Sequence, residues 1–422
     1  MIVSRRLFWA WCALIVLTLI NYQVVVILFN DFLLLKFLRD IILIYIIIQT
    51  FLQKPCIKNT YFLCLLILLC VMIPATMRTK NLGTAVVNLR RYLFPVGVLI
   101  AARSFAFMQR KDYISILRFL LNLTAILSLW GIFQAYVLGD RFLIKMGYPT
   151  MYAYAYKKEM LGYSYYFGNL GIQRVVSTIS NSNVCALILG SILITVIFRF
   201  KELVRTKWDW VKLACIALAY ILTVSRANFL AMLIVGLILI WKYIPFKKYL
   251  WGLACAALAV FVVMYFYQDD NGITHKLVNW VVSSLTLKES SAAGRAEIWK
   301  VAFEGVKQNP FGIGFGKVGS FAQGSGVQEF YHSENSYLSI ALDMGWTGLA
   351  GYLIWLGNIA VDARSIKQKA PITTRMVQSL LVYLMITFVF SNHIYDMEAV
   401  TLVYFLIGIT LCPNATEGGV QA

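Results

Sequence analysis

Arg174, Arg226 and Arg295, with His332 and Glu334, are the residues of this sequence best suited to chemistry on an anionic substrate. A guanidinium stays charged at physiological pH and offers its N–H groups as a planar fork that matches phosphate oxygens. An imidazole titrates near neutrality and can take a proton from a hydroxyl, and a nearby carboxylate can do the same. Arg174 precedes a helix start at Asn181-Ser182-Asn183, and Arg226 sits at a tight turn after Ser225. Arg295 belongs to the stretch Gly294-Arg295-Ala296-Glu297-Ile298-Trp299, and His332 stands just before a helix start at Ser333-Glu334-Asn335-Ser336. Arg90 and Arg91 lie inside an apolar run, about 10 Å from its start at helical rise, where a charge is costly and usually functional. Helix N-termini beside these residues would add oriented N–H groups and positive dipole ends. The chemistry expected is an anion site with a proton acceptor at its edge. His393, with Asp396 and Glu398 close by, is a second candidate imidazole.

These residues can meet only if the elements between them bring them to one side. The 422-residue chain is 60% hydrophobic and 14% charged, with a mean hydropathy of +0.73. That lies far from the soluble average of about half apolar and a quarter charged. Apolar runs near 7–28, 32–52, 61–76, 84–102, 113–138, 183–198, 208–224, 227–244, 249–267, 337–361, 373–391 and 396–412 approach the roughly 20 residues a bilayer crossing needs. The runs lack strand alternation, and backbone groups cannot stay unpaired in lipid, so the expected fold is an all-α polytopic membrane helical bundle of about twelve helices. It reads as one integral membrane domain over residues 1–422.

The net charge of +19 is spread through short loops, which follows the positive-inside rule and forms no basic face for nucleic acid. With both termini cytoplasmic, Arg5/Arg6, Lys54/Lys58, Arg103/Arg110/Lys111, Arg199/Lys201/Arg205/Lys207 and Arg364/Lys367/Lys369 all fall inside. Arg118 and Lys212, near cytoplasmic ends, read as snorkelling residues. The loops 139–182 and 268–336 are then external, and loops of that length usually carry function. The first is rich in tyrosine (among them Tyr148, Tyr152 and Tyr165), suited to interfacial anchoring or to stacking on sugars. The second contains an amphipathic helix with Ile298, Val301, Ala302 and Gly305 on one face, either lying on the membrane or capping a cavity.

Other signals carry less. Eight cysteines without a CxxC, mostly in apolar runs, suggest neither a disulfide framework nor a metal site. Arg5 and Arg6 before an apolar run lack a following small-residue cleavage site and read as a retained first helix. Gly314-Phe315-Gly316-Lys317-Val318-Gly319 fits a dinucleotide-binding pattern but follows no strand, so a tight loop is expected there.

Five segments in order resemble the O-antigen ligase/polymerase superfamily. They are Arg174-Val175-Val176-Ser177-Thr178-Ile179-Ser180-Asn181; Thr223-Val224-Ser225-Arg226; Gly294 to Trp299 with Asn309-Pro310-Phe311-Gly312; His332-Ser333-Glu334-Asn335-Ser336; and Gly345-Trp346-Thr347-Gly348. The resemblance implies an inverting glycosyltransferase without metal or other cofactor, acting on undecaprenyl-diphosphate-linked glycans as donor and acceptor at the outer face of a bacterial inner membrane. It implies that Arg174, Arg226 and Arg295 hold the donor diphosphate, with His332 as base or acceptor-orienting group. The family's histidine is often followed directly by asparagine; here Ser333 and Glu334 intervene, which leaves Glu334 as a rival base. A repeat-unit polymerase is the expected activity, working beside a chain-length regulator and a flippase in lipopolysaccharide or related polysaccharide synthesis. A ligase onto lipid A core, or a lipid-glycan transporter, are the alternatives.

Overall fold

The computed structural model describes residues 2–23, 33–52, 58–79, 81–105, 109–148, 150–153, 158–162, 165–167, 172–240, 290–318, 331 and 333–412. Eleven of the twelve apolar runs lie on helices, and the run at 249–267 is outside the described residues. In chain order the first helices are α1 (Ile2–Ile20), α2 (Leu33–Leu52), α3 (Asn59–Met77), α4 (Leu82–Arg103), α5 (Arg110–Phe133) and α6 (Gly139–Lys145). Four short strands follow: β1 (Thr150–Ala153), β2 (Lys158–Leu161), β3 (Tyr166–Phe167) and β4 (Ile172–Gln173). The later helices are α7 (Ser182–Phe198), α8 (Phe200–Leu203), α9 (Lys207–Leu222), α10 (Arg226–Val235), α11 (Ser290–Gln308), α12 (Ser336–Ser365), α13 (Pro371–Phe390) and α14 (Met397–Leu411). A 3₁₀ turn, His393–Tyr395, joins α13 to α14.

Five helical stretches among the described residues are long and apolar enough to cross a membrane: Arg5–Gln23, Asn59–Met77, Leu82–Arg103, Arg110–Lys145 and Pro371–Phe390. Shorter apolar helices are Ser182–Phe198, Arg226–Leu239 and Met397–Leu411. The chain is a multi-pass helical membrane protein. Helix α14 packs along α4, α12 along α3, α5 along α9, and α13 against α7, α10 and α12. Their shared core includes Trp11, Leu99, Leu187, Trp355, Tyr383 and Phe405, while Leu63, Ile73, Leu129, Leu233 and Val361 face outward. Apolar side chains pointing away from the bundle are what a lipid-facing surface requires.

Caps define the helix starts that matter. Asn181 accepts from the Val184 N–H at 3.0 Å to open α7, and Asn335 accepts from the Leu338 N–H at 3.0 Å to open α12. Helix α12 is broken at Gly345, whose φ is +75°. The Pro310–Gly314 loop fills the break: Trp346 N–H donates to the Pro310 carbonyl at 3.0 Å, and Ile313 N–H to the Leu342 carbonyl at 2.7 Å. A Cβ on Gly345 would lie 2.4 Å from the Pro310 oxygen, so both the conformation and the close approach require glycine. The expected tight loop at Gly314 and Gly316 is present, with φ of +88° and +85°, and it packs on Arg78 and Thr84 at the adjoining ends of α3 and α4.

The amphipathic helix begins earlier than expected, at Ser290, and caps the bundle. Ala302 and Val306 are fully buried against Ala341 and Leu342 of α12, whereas Val301, expected on the inner face, is 55% exposed. Ala302 and Val306 sit four residues apart, and that stripe, one position round from Val301, carries the contact.

The first long loop departs from an all-α reading. β1 pairs antiparallel with β2, and β3 with β4, in a segment dense in β-favouring tyrosines. Two of those tyrosines serve neither as membrane anchors nor as sugar platforms. Tyr148 and Tyr165 are buried edge-to-face at 5.8 Å, and their hydroxyls donate to the Ser177 and Ser180 carbonyls. They form a small core with Leu143, Leu161 and Val176 that fixes the path of the chain into Arg174.

At the opposite end of the bundle, Asp362 on α12 accepts from Arg103 at 2.9 Å and Tyr61 at 3.0 Å, and pairs with Lys58. Arg118 donates to the Glu202 carbonyl at 3.1 Å, and Lys212 pairs with Asp209 at 2.9 Å. Both of these side chains thus have protein partners at that end.

Candidate active site

The site is built on two tight junctions. At the first, the chain from β4 to α7 runs beside the end of α9, with the Val175 N–H donating to the Leu222 carbonyl at 3.0 Å. At the second, α9 turns into α10 through Thr223, Val224 and Ser225. Val224 has φ of +47° and Ser177 φ of +57°. A left-handed β-branched residue is a true outlier, and such backbone strain concentrates at functional sites.

Side chains knit the junctions together. Arg174 Nε donates to the Thr223 carbonyl at 2.8 Å, and its Nη2 donates to Asn183 Oδ1 at 2.9 Å and to the Val224 carbonyl at 3.4 Å. The same Asn183 oxygen accepts from the Ser225 hydroxyl at 2.8 Å. Asn228, fully buried one turn into α10, donates to Ser225 Oγ at 2.9 Å and to the Asn183 carbonyl at 3.2 Å. Tyr383 of α13 donates to Asn228 Oδ1 at 2.8 Å from a fully buried position. Gly190 of α7 makes room for it, since a Cβ there would lie 2.1 Å from the phenol oxygen.

A cavity of about 390 Å³ opens at this end of the bundle. Its lining includes Arg174, Asn181, Asn183, Arg295 and Glu334, together with Ser391, Asn392, His393, Tyr395 and Asp396. Burial, then repulsion from Arg226 and Arg295, lowers Arg174 to about 10, so it stays cationic at neutral pH. The direction matters more than the size: three guanidinium groups share one field, and an anion placed among them relieves it. The starts of α7, α10, α12 and α14 all lie at this end, adding their N–H groups.

The structure therefore brings Arg174, Arg226, Arg295 and Glu334 together. Arg295 Nε is ion-paired with Glu334. His332 lies outside the described residues. Arg90 and Arg91 stand apart from the cavity wall. Arg90 pairs with Asp40 of α2 at 2.9 Å, while the Arg91 guanidinium lies 5.9 Å from the ring of Tyr395, itself a lining residue. Tyr395 also donates to Asp343 of α12, as does Tyr92 of α4 at 2.9 Å, which ties the 393–395 turn to the bundle.

Sequence reasoning missed Asn228, Tyr383 and Asp343. Asp343 is a carboxylate within an apolar run, the same signal that singled out Arg90 and Arg91. Asn228, two residues after Arg226, was open to the same argument. Tyr383 carries no signal of its own, because tyrosines are common in such helices. Among the described residues no group of three or more His, Cys, Asp or Glu could hold a metal ion.

Fold and site together define an integral membrane protein with a cationic, wet hollow at one end of its helical bundle. The family model described as O-antigen ligase matches residues 210–353, the stretch from α9 to the middle of α12. The match bears out the resemblance read from the motifs and indicates a membrane enzyme of O-antigen or surface-polysaccharide assembly. Arg226, Arg295 and Glu334 fall within the matched residues; Arg174 lies upstream and joins them through the fold. No curated protein matches the chain.

Proposed function

We propose that the protein polymerises undecaprenyl-diphosphate-linked oligosaccharide repeat units at the outer face of a bacterial inner membrane. About twelve crossings, both termini in the cytoplasm and an external cavity complete this reading; the gathering of Lys58, Arg103, Arg110 and Arg118 at the end opposite the cavity supports it. The observation that carries it is the convergence of Arg174 and Arg295 on one cavity within the field of Arg226.

In this reading the three guanidinium groups hold the donor diphosphate. A sugar diphosphate is already a competent leaving group, so the transition state chiefly needs its growing negative charge neutralised. Fixed arginines and helix N-termini do that without reorganising. The acceptor sugar hydroxyl, held against the anomeric carbon, then loses its proton to a base, for which His332 and Glu334 are the loop's candidates. Arg90 and Arg91 act at a distance, Arg91 by steadying Tyr395.

A ligase reading, with lipid A core as acceptor, is favoured by the description of the matched family. The test is to incubate purified protein with lipid-linked repeat units alone, and separately with preformed lipid-linked polymer and lipid A core. Products longer than one unit from the first mixture support polymerisation. Transfer only in the second would replace it with ligation, and lipid-linked units that fail to reach the outer face in a knockout would point to transport.

A further inference from the structure

The turn joining α13 to α14 carries a side chain that the donor-binding argument does not use. His393 is 1% exposed and lines the same cavity as Arg174 and Arg295. Its Nδ1 is 2.9 Å from Asp396 Oδ2. Its Nε2 is buried and has no hydrogen-bond partner among the described residues. A carboxylate on Nδ1 keeps the hydrogen of the neutral ring there and leaves Nε2 as an acceptor. A buried acceptor left unsatisfied costs about 1–3 kcal/mol, and such a group in a native fold calls for an explanation.

The turn is held rigidly. The Ile394 N–H donates to Ser336 Oγ at 3.2 Å, Ser336 Oγ donates to the Ser391 carbonyl at 2.8 Å, and Tyr395 is bound to Asp343. The histidine is therefore fixed relative to the start of α12, which carries Glu334 just ahead of it. Glu334 itself is committed to Arg295. The charged groups about the imidazole are Asp396 and Glu398 on its C-terminal side, Glu334, Arg295 and Arg174 in the lining of the same cavity, and Arg91 beside Tyr395.

We infer that His393, positioned by Asp396, is the base that activates the acceptor hydroxyl. This rests on the glycosyl-transfer reading. As the hydroxyl oxygen bonds to the anomeric carbon, its proton passes to His393 Nε2, and the bond from that carbon to the diphosphate oxygen breaks, with its electron pair leaving on the diphosphate. The imidazolium so formed is stabilised by Asp396 and returns its proton to solvent or to the departing diphosphate.

Three variants test this, using lipid-linked oligosaccharide extracted from host cells that lack the gene, and undecaprenyl diphosphate as a binding probe. His393→Gln should bind undecaprenyl diphosphate as wild type does and transfer at least about 100-fold more slowly. Asp396→Asn should lower kcat and leave KM unchanged. His393→Ala should regain transfer when imidazole is added, a rescue that a merely structural residue would not show. Transfer by His393→Gln within about threefold of wild type overturns the assignment, given the 100-fold or more that general-base catalysis supplies. So does parallel loss of undecaprenyl diphosphate binding, or an alanine variant that imidazole fails to rescue. Wild-type protein that does not bind undecaprenyl diphosphate at all overturns the glycosyl-transfer reading, and the base with it.

Discussion

Gly190→Ala should weaken the enzyme from a position that touches no substrate. The added Cβ would lie 2.1 Å from the Tyr383 hydroxyl, 2.6 Å from Cζ and 3.0 Å from Cε1. Ordinary contact between such atoms is about 3.5 Å, so the phenol must retreat by more than about 1 Å. It then loses its 2.8 Å bond to Asn228 Oδ1. Overpacking costs about 1–3 kcal/mol and the lost hydrogen bond about 1 kcal/mol. Replacing glycine by alanine inside a helix returns about 1 kcal/mol. The net destabilisation should be roughly 1–3 kcal/mol. Activity should fall further than stability, because Asn228 holds Ser225 and Asn183, and Asn183 holds Arg174. A 1 Å misplacement at a reacting site can cost about 100-fold, and a loss of roughly 10- to 100-fold in kcat/KM is expected here. Melting in detergent and transfer between lipid-linked units measure the two effects. The penalty should shrink in a Tyr383→Leu background, where no ring stands in the way. Equal penalties in both backgrounds, or a Gly190→Ala protein as stable and active as wild type, would refute the chain of contacts from α13 to Arg174.

Other sites separate binding from folding. Inorganic pyrophosphate at about 100 times its dissociation constant should stabilise wild type by about 2.7 kcal/mol; in Arg174→Ala the shift in melting should vanish. Arg295→Ala should change stability by no more than about 1 kcal/mol, since its partner Glu334 is 37% exposed, yet lower transfer by about 100-fold; a large melting loss would make the pair structural. Asp362→Ala leaves Arg103 buried without this carboxylate and should cost about 3–5 kcal/mol, seen as reduced yield and melting, with unchanged donor affinity in the protein that survives. Gly345→Ala combines a left-handed φ with a 2.4 Å approach to the Pro310 carbonyl, and should cost at least about 2 kcal/mol by denaturation.

How much of this was legible in the sequence depends on range. Spans were legible because bilayer length and hydropathy act locally, so eleven runs coincide with helices. The cationic residues were legible because arginines near apolar runs are rare enough to notice. Their grouping was not, since it arises from contacts between residues such as Arg174 and Thr223, 49 positions apart. The role of Tyr148 was misjudged for a related reason. A tyrosine with a carbonyl in reach behaves as core, and the Ser177 carbonyl that captures it is exposed only by the left-handed turn at Ser177. Arg90 shows the reverse: its place within a span was foreseen, but its partner Asp40 sits on another helix and was not.

Arginines at the two ends of the bundle are held by different groups. Arg103 is buried against the carboxylate of Asp362, an ion pair that joins α4 to α12. Arg174 donates to oxygens of Thr223, Val224 and Asn183. Dipoles of that kind orient a guanidinium without cancelling its charge. Burial and two like charges oppose the cation, which is why it sits near 10 rather than at its ordinary value. In the proposed reaction, a diphosphate entering the cavity would meet a guanidinium whose orientation these bonds have already fixed.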